Sequence, residues 1–139
     1  MKLICAGITD VGNAREHNED DFYLSEGKEA LCVVADGMGG HRSGEVASAM
    51  AIKAIVEYHR ETLSETPYSA DPDNEDSVDL IEHRLGEAIQ NANRAVFAAA
   101  SESEMYRGMG TTVVSGYFTN EGVYFAHIGD SRAYRFRDG

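Results

Sequence analysis

Ala30-Leu31-Cys32-Val33-Val34-Ala35-Asp36-Gly37-Met38-Gly39-Gly40-His41 reads as one apolar strand that runs into an acid and a set of glycines. The unbroken apolar run from Ala30 to Ala35 suits a strand buried on both faces. Just before it, Asp21 to Ser25 reads as a shorter strand, and Glu26-Gly27-Lys28-Glu29 turns it back. The two strands make a hairpin that delivers Asp36 at its end. A carboxylate in that position can bridge two divalent ions, and Gly37, lacking a side chain, lets its carbonyl approach a metal. Two ions bridged about 3.5–4 Å apart would activate a water for attack on phosphorus. The plainer alternative is a glycine-rich turn in which Asp36 only caps the next helix.

Outward from this hairpin the chain alternates little. Leu3 to Thr9 reads as a first strand, closed by the turn Asp10-Val11-Gly12-Asn13. Ser43 suits a helix N-cap with Glu45 in the first turn, and Ala47, Met50, Ala51, Ala54, Ile55 and Tyr58 keep helical spacing to about Leu63. Residues 64–77 are polar and acidic, contain Pro67 and Pro72, and read as an exposed loop. A second helix is expected from about Val78 to Ser101, with Ile81, Leu85, Ala88, Ile89, Ala92, Val96 and Ala99 as its apolar stripe. Gly108-Met109-Gly110 ends it. Three strands are expected after that, from Thr111 to Thr119, Val123 to Ile128 and Arg132 to Arg137. Strands, two long helices, then strands again indicate an α+β domain.

The 139 residues are enough for one domain with a real core. A net charge of -12 argues against nucleic acid and anionic membrane as partners, and is compatible with a divalent-metal site. Cys5 and Cys32 fall in apolar runs and read as buried thiols of a reducing compartment, with a disulfide as the alternative that nothing in the spacing calls for. The N-terminal residues do not form a signal peptide and no apolar run has membrane-spanning length, so the chain reads as cytoplasmic.

Two other segments share the chemistry of Asp36. Arg15 carries a planar fork that matches phosphate oxygens, while Glu19 and Asp20 offer the oxygen ligands that Mg²⁺ or Mn²⁺ prefers. Gly129-Asp130-Ser131-Arg132 again sets an acid after an apolar strand and a glycine. The plainer readings are a solvated charged turn for the first and a surface Asp130–Arg132 ion pair for the second. Gly108-Met109-Gly110-Thr111-Thr112 is weaker evidence, because glycines before a strand need serve only a turn.

As a set, Arg15…Asn18-Glu19-Asp20, Val33-Val34-Ala35-Asp36-Gly37-Met38-Gly39-Gly40-His41, Gly110-Thr111-Thr112 and Ile128-Gly129-Asp130-Ser131-Arg132-Ala133-Tyr134 resemble the metal-dependent protein phosphatase family, type 2C, in its bacterial form. The resemblance implies a four-layer αββα sandwich, two antiparallel sheets flanked by helices, of which residues 1–139 form the N-terminal portion with the C-terminal part missing. It implies hydrolysis of phosphoserine and phosphothreonine in proteins by a water activated at a binuclear Mg²⁺ or Mn²⁺ centre, without a phosphoenzyme. By position, Asp36 bridges the two ions, Gly37 offers its carbonyl, Asp20 and Glu19 serve the second ion directly or through water, Arg15 holds the phosphate, and Asp130 helps hold a third, weaker ion. The implied partners are phosphoproteins, a Ser/Thr kinase and its substrates, and the complete protein is expected to be a monomer.

Two departures stand out. Many eukaryotic relatives have a proton-donating histidine where this chain has Met38, which cannot donate. His41, His17 and His127 read as structural, and His59 and His83 as helix-surface residues. The family's two later metal-binding aspartates, in Ser-Asp-Gly and Asp-Asn segments, have no counterpart before Gly139, and the strand from Arg132 asks for a hairpin partner. The competing reading is a non-catalytic module of the same fold that binds a phosphoprotein or partner. Neither cysteine has an arginine six positions later, and no G-x-S-x-G elbow occurs, which weighs against other phosphatase and hydrolase chemistries.

Overall fold

The computed structural model describes residues 3–39, 43–65, 75–120 and 122–139. Strands β1 (Asp20–Leu24), β2 (Ala30–Met38), β3 (Gly110–Thr111), β4 (Val113–Phe118) and β5 (Val123–Ile128) form one antiparallel sheet, in the order β1-β2-β4-β5 with β3 beside the end of β2. Helices α1 (Ser43–Glu65) and α2 (Glu75–Glu102) pack on each other and on one face of that sheet. The described residues thus form one helical layer and one sheet, in the expected α+β class.

The core lies between those layers. Leu31, Val33 and Ala35 of β2 meet Ala47, Ala51 and Ile55 of α1, while Ile81, Leu85, Ala88 and Ala92 of α2 close it against Val113 and Tyr117 of β4. Leu31 and Ile55 are fully buried, and truncating either to alanine would cost about 2–5 kcal/mol. The helical stripe read from spacing is the buried one: Ile81, Leu85, Ala88, Ala92 and Val96 are buried, with Ile89 and Ala99 packed at the margin.

Several expectations are corrected. Ala30 to Ala35 is not buried on both faces: Leu31, Val33 and Ala35 face the helices, whereas Cys32 is half-buried and Val34 is 49% exposed. Period-2 alternation within an all-apolar run is invisible to composition. The segments 3–9 and 132–137 are not strands, since neither finds a ladder partner among the described residues. Residues 3–9 instead lie across the outer face of β1 and β2, where Gly7 abuts the Phe22 ring and Cys5 Sγ sits 4.0 Å from Cys32 Sγ. Most of the expected 64–77 loop falls outside the described residues, but its two ends, 64–65 and 75–77, belong to the helices. His59 is no surface residue: its ring packs edge-on against Tyr117 at 4.7 Å, and burial holds its pKa below the ordinary value. His41 lies outside the described residues.

Candidate functional site

Asp36 does not end its strand. β2 continues through it to Met38, changing neighbour as it goes: β4 pairs with residues up to Val34, and β3 pairs Gly37 with Thr111 and Met38 with Gly110. On its other edge Asp36 stands opposite Asp20 in the β1–β2 register. The hairpin therefore brings together two acids that lie far apart in sequence. Two like charges across a strand pair are unfavourable. Partial burial, the Asp36 charge and a side-chain hydrogen bond with Asp36 all push the Asp20 carboxyl above its ordinary pKa, while Arg15 draws it back down and Glu19 adds to the rise. Two carboxylates set opposite each other favour a cation beside them.

Glu19 fills the next position. Its Oε2 accepts a hydrogen bond from Arg15 Nη1 at 2.8 Å, and its side chain is only 12% exposed. Oε1 is buried with no hydrogen-bond partner among the described residues and faces Gly44 in the first turn of α1, where an added Cβ would come within 2.2 Å of it. A carboxylate at a helix N-terminus is stabilised by the helix dipole. The unsatisfied oxygen can also accept from a metal-held water.

Arg15 is largely exposed and spends one N–H group on Glu19, leaving further donors for an anion. His17 Nδ1 lies 3.4 Å from Glu45 Oε1, which ties this loop to α1. Beyond Asp20, a hollow of about 260 Å³ opens between residues 6–10 and β1, with Thr9 and Asp10 on one wall and Phe22 on the other.

Gly37 has a reason to be glycine that metal approach does not supply. Its N–H donates to Glu19 O at 3.0 Å, and an added Cβ would lie 2.1 Å from Gly44 O and 2.6 Å from Glu19 O. Helix α1 thus sits directly on β2 at this point. Met38 is 54% exposed and its side chain passes over Gly110.

Asp130 is exposed and is not among the groups that set the Asp20 pKa. It follows Gly129, whose φ of 96° suits glycine and whose Cα packs against the methyl of Thr112. Thr112 and Ser131 are the residues that motif reading undervalued. Their hydroxyls lie 2.6 Å apart, and Thr112 also bonds the backbone of Asp36. The signal was present in a threonine directly after Gly110-Thr111, but its register opposite Asp36 was not. Among the described residues no group of three or more His, Cys, Asp or Glu side chains gathers to hold a metal. The Asp20–Asp36 pair, Glu19 Oε1 and the close-packed Gly37 nevertheless fit a hard divalent cation, provided that ligands from elsewhere complete its shell.

Residues 13–139 match the family model described as protein phosphatase 2C. The chain belongs to the protein phosphatase 2C family. It is 40% identical over 129 residues to the serine/threonine phosphatase stp of Listeria monocytogenes serotype 4b, covering 91% of this chain and 47% of that one. It is 36% identical over 139 residues to the serine/threonine protein phosphatase PstP of Mycobacterium tuberculosis, covering 100% of this chain and 24% of the relative. Among solved structures, the catalytic domain of PstP in complex with 2 manganese ions superposes with a TM-score of 0.73 at 35% identity, covering 94% of this chain and 49% of that domain. The chain spans about half the length, or less, of the type 2C relatives that it matches.

Proposed function

We propose that this chain contributes one half of the active centre of a protein serine/threonine phosphatase, which hydrolyses phosphoserine and phosphothreonine in proteins at a binuclear Mg²⁺ or Mn²⁺ centre. The observation that carries the reading is the Asp20–Asp36 pair, set opposite each other on β1 and β2 with the Arg15–Glu19 ion pair beside them. Asp36 and Asp20 would hold the ions, with Gly37 offering its carbonyl and Glu19 Oε1 accepting from a coordinated water. Asp130 would contribute to a third, weaker site. When bound, the ions supply a water acidic enough to act as nucleophile and neutralise the phosphoryl oxygens.

The chain's own groups do the rest. Arg15 turns its free N–H groups to the phosphate, and Glu19 holds the guanidinium in place through Oε2. Met38 carries no transferable proton, so the leaving alcohol takes its proton from another group or from water. The partners proposed are phosphoproteins and the Ser/Thr kinase that opposes this activity, and the complete protein is proposed to act as a cytoplasmic monomer. No helix among the described residues is long and apolar enough to cross a membrane.

The test is Mn²⁺-dependent release of phosphate from a phosphothreonine peptide by the complete domain. Wild type is expected to be active and Asp36→Asn to lose all measurable turnover. An active Asp36→Asn enzyme would refute the metal assignment. Binding of the phosphopeptide without turnover by wild type would favour a non-catalytic module instead.

A further inference from the structure

Thr112 stands where the sheet changes strands. Gly37 pairs with Thr111 on one side and Val34 with Val114 on the other, and the same register carried between them sets Thr112 opposite Asp36. In such an antiparallel pair, two residues ordinarily exchange both backbone hydrogen bonds. Here only one is ordinary: Thr112 N donates to Asp36 O at 2.9 Å. The Asp36 N–H donates instead to the Thr112 hydroxyl at 3.2 Å, while the Thr112 carbonyl accepts from Thr111 Oγ1 at 2.9 Å. A side chain has taken over a rung of the ladder, at the residue where the acid sits.

The same hydroxyl meets Ser131 Oγ at 2.6 Å, and the Thr112 methyl fills the space above Gly129. Thr112 is 5% exposed, so water does not substitute for these bonds. On the far side of the Asp36–Gly37 peptide, Glu19 O accepts from Gly37 N. The Asp36–Gly37 peptide is therefore held from both edges, by Thr112 N and Glu19 O, while the Thr112 hydroxyl holds the preceding Ala35–Asp36 peptide and passes that grip on to the segment that bears Asp130.

We propose that Thr112 is a positioning residue, whose hydroxyl fixes the Asp36 backbone and couples it to the Gly129-Asp130-Ser131 segment. The proposal rests on the phosphatase reading for its kinetic consequence but not for its structural one. A valine in place of Thr112 keeps the methyl and the volume and leaves the Asp36 N–H with no acceptor. Losing the acceptor of this part-buried hydrogen bond, on the side where Thr112 is buried, has a cost that corresponds to roughly tenfold in an equilibrium, rising toward a hundredfold if no water reaches the donor.

The experiment compares Thr112→Val, Thr112→Ser and Ser131→Ala in the complete domain, by Mn²⁺ binding, steady-state kinetics and amide hydrogen exchange at Asp36. Thr112→Val is expected to speed exchange at Asp36, to weaken Mn²⁺ binding roughly ten- to a hundredfold and to lower kcat, with KM for a phosphothreonine peptide unchanged. Thr112→Ser is expected to restore all of these, and Ser131→Ala to reproduce part of the loss. A hydroxyl that merely stabilised the fold would leave Mn²⁺ affinity and kcat of the folded protein untouched. Equal exchange at Asp36 in wild type and Thr112→Val, or damage by Thr112→Ser as large as by valine, would overturn the proposal. If Thr112→Val does not fold, Thr112→Ser and Ser131→Ala still decide: an unaltered Mn²⁺ affinity in Ser131→Ala would overturn the coupling. If wild type has no phosphatase activity, the phosphatase reading fails while the exchange comparison still tests Thr112.

Discussion

Replacing Gly37 by alanine isolates how closely α1 sits on β2. Gly37 does not have a positive φ, so in open surroundings the change would stabilise the chain by about 0.4–1 kcal/mol through the unfolded state. The surroundings are not open. The new methyl would lie 2.1 Å from Gly44 O and 2.6 Å from Glu19 O, both main-chain atoms, so the first turn of α1 and the start of β1 would have to draw back by about 1 Å. Overpacking of that kind typically costs about 1–3 kcal/mol, and rigid partners put this case at the upper end.

Gly44→Ala is the matched control. Its methyl would meet the tip of the Glu19 side chain at 2.2 Å, which can swing away, and removing a helical glycine returns up to about 1 kcal/mol. The two variants should therefore differ by at least about 2 kcal/mol, a separation of about 1 M in urea midpoint. Urea unfolding of both variants, followed by far-ultraviolet circular dichroism, makes the comparison. Equal midpoints, or a less stable Gly44→Ala, would refute the packing argument.

Two further outcomes concern groups outside the site. Burial holds the His59 pKa below its ordinary 6.5, so the unfolded chain takes up a proton first as the pH falls. Stability is then expected to be complete above pH 6.5 and to decline as pH drops from there toward the folded pKa, and His59→Phe should flatten this limb in urea titrations between neutral and acid pH. The Cys32 thiol is pushed up to about 11 by burial and by Cys5 beside it, so alkylation by iodoacetamide at mildly alkaline pH should be slower in the folded than in the urea-unfolded chain. Equal rates in the two states would contradict that placement.

Much of the helical layer was legible because a helix writes its buried face at fixed spacing, as Ile81, Leu85, Ala88 and Ala92 do. The hairpin was legible too, but its first strand was read from Asp21, so the register that sets Asp20 opposite Asp36 came only with the structure. What could not be read was partner-dependent. Leu3 to Thr9 and Arg132 to Arg137 have strand-like composition, but a strand needs a neighbour, and among the described residues neither has one. The glycines after Asp36 suggested a turn beginning there, whereas β3 pairs with Gly37 and Met38 and carries the strand two residues further. His59 lies on a helix whose polar appearance hides its contact with Tyr117, a residue nearly sixty positions away. Thr112 gained its place only from register, which no local pattern encodes.

The opposed acids of β1 and β2 also make one end of this hairpin responsive to its ionic surroundings. The Asp20–Asp36 rung sets two acids opposite each other at the end where β1 begins, the least favourable cross-strand pair of that hairpin. If these carboxylates hold a cation, as proposed above, the same rung would act as a clasp. On the proposed metal assignment, cation binding would thereby stiffen the sheet at the point where Arg15 and Glu19 lie beside it.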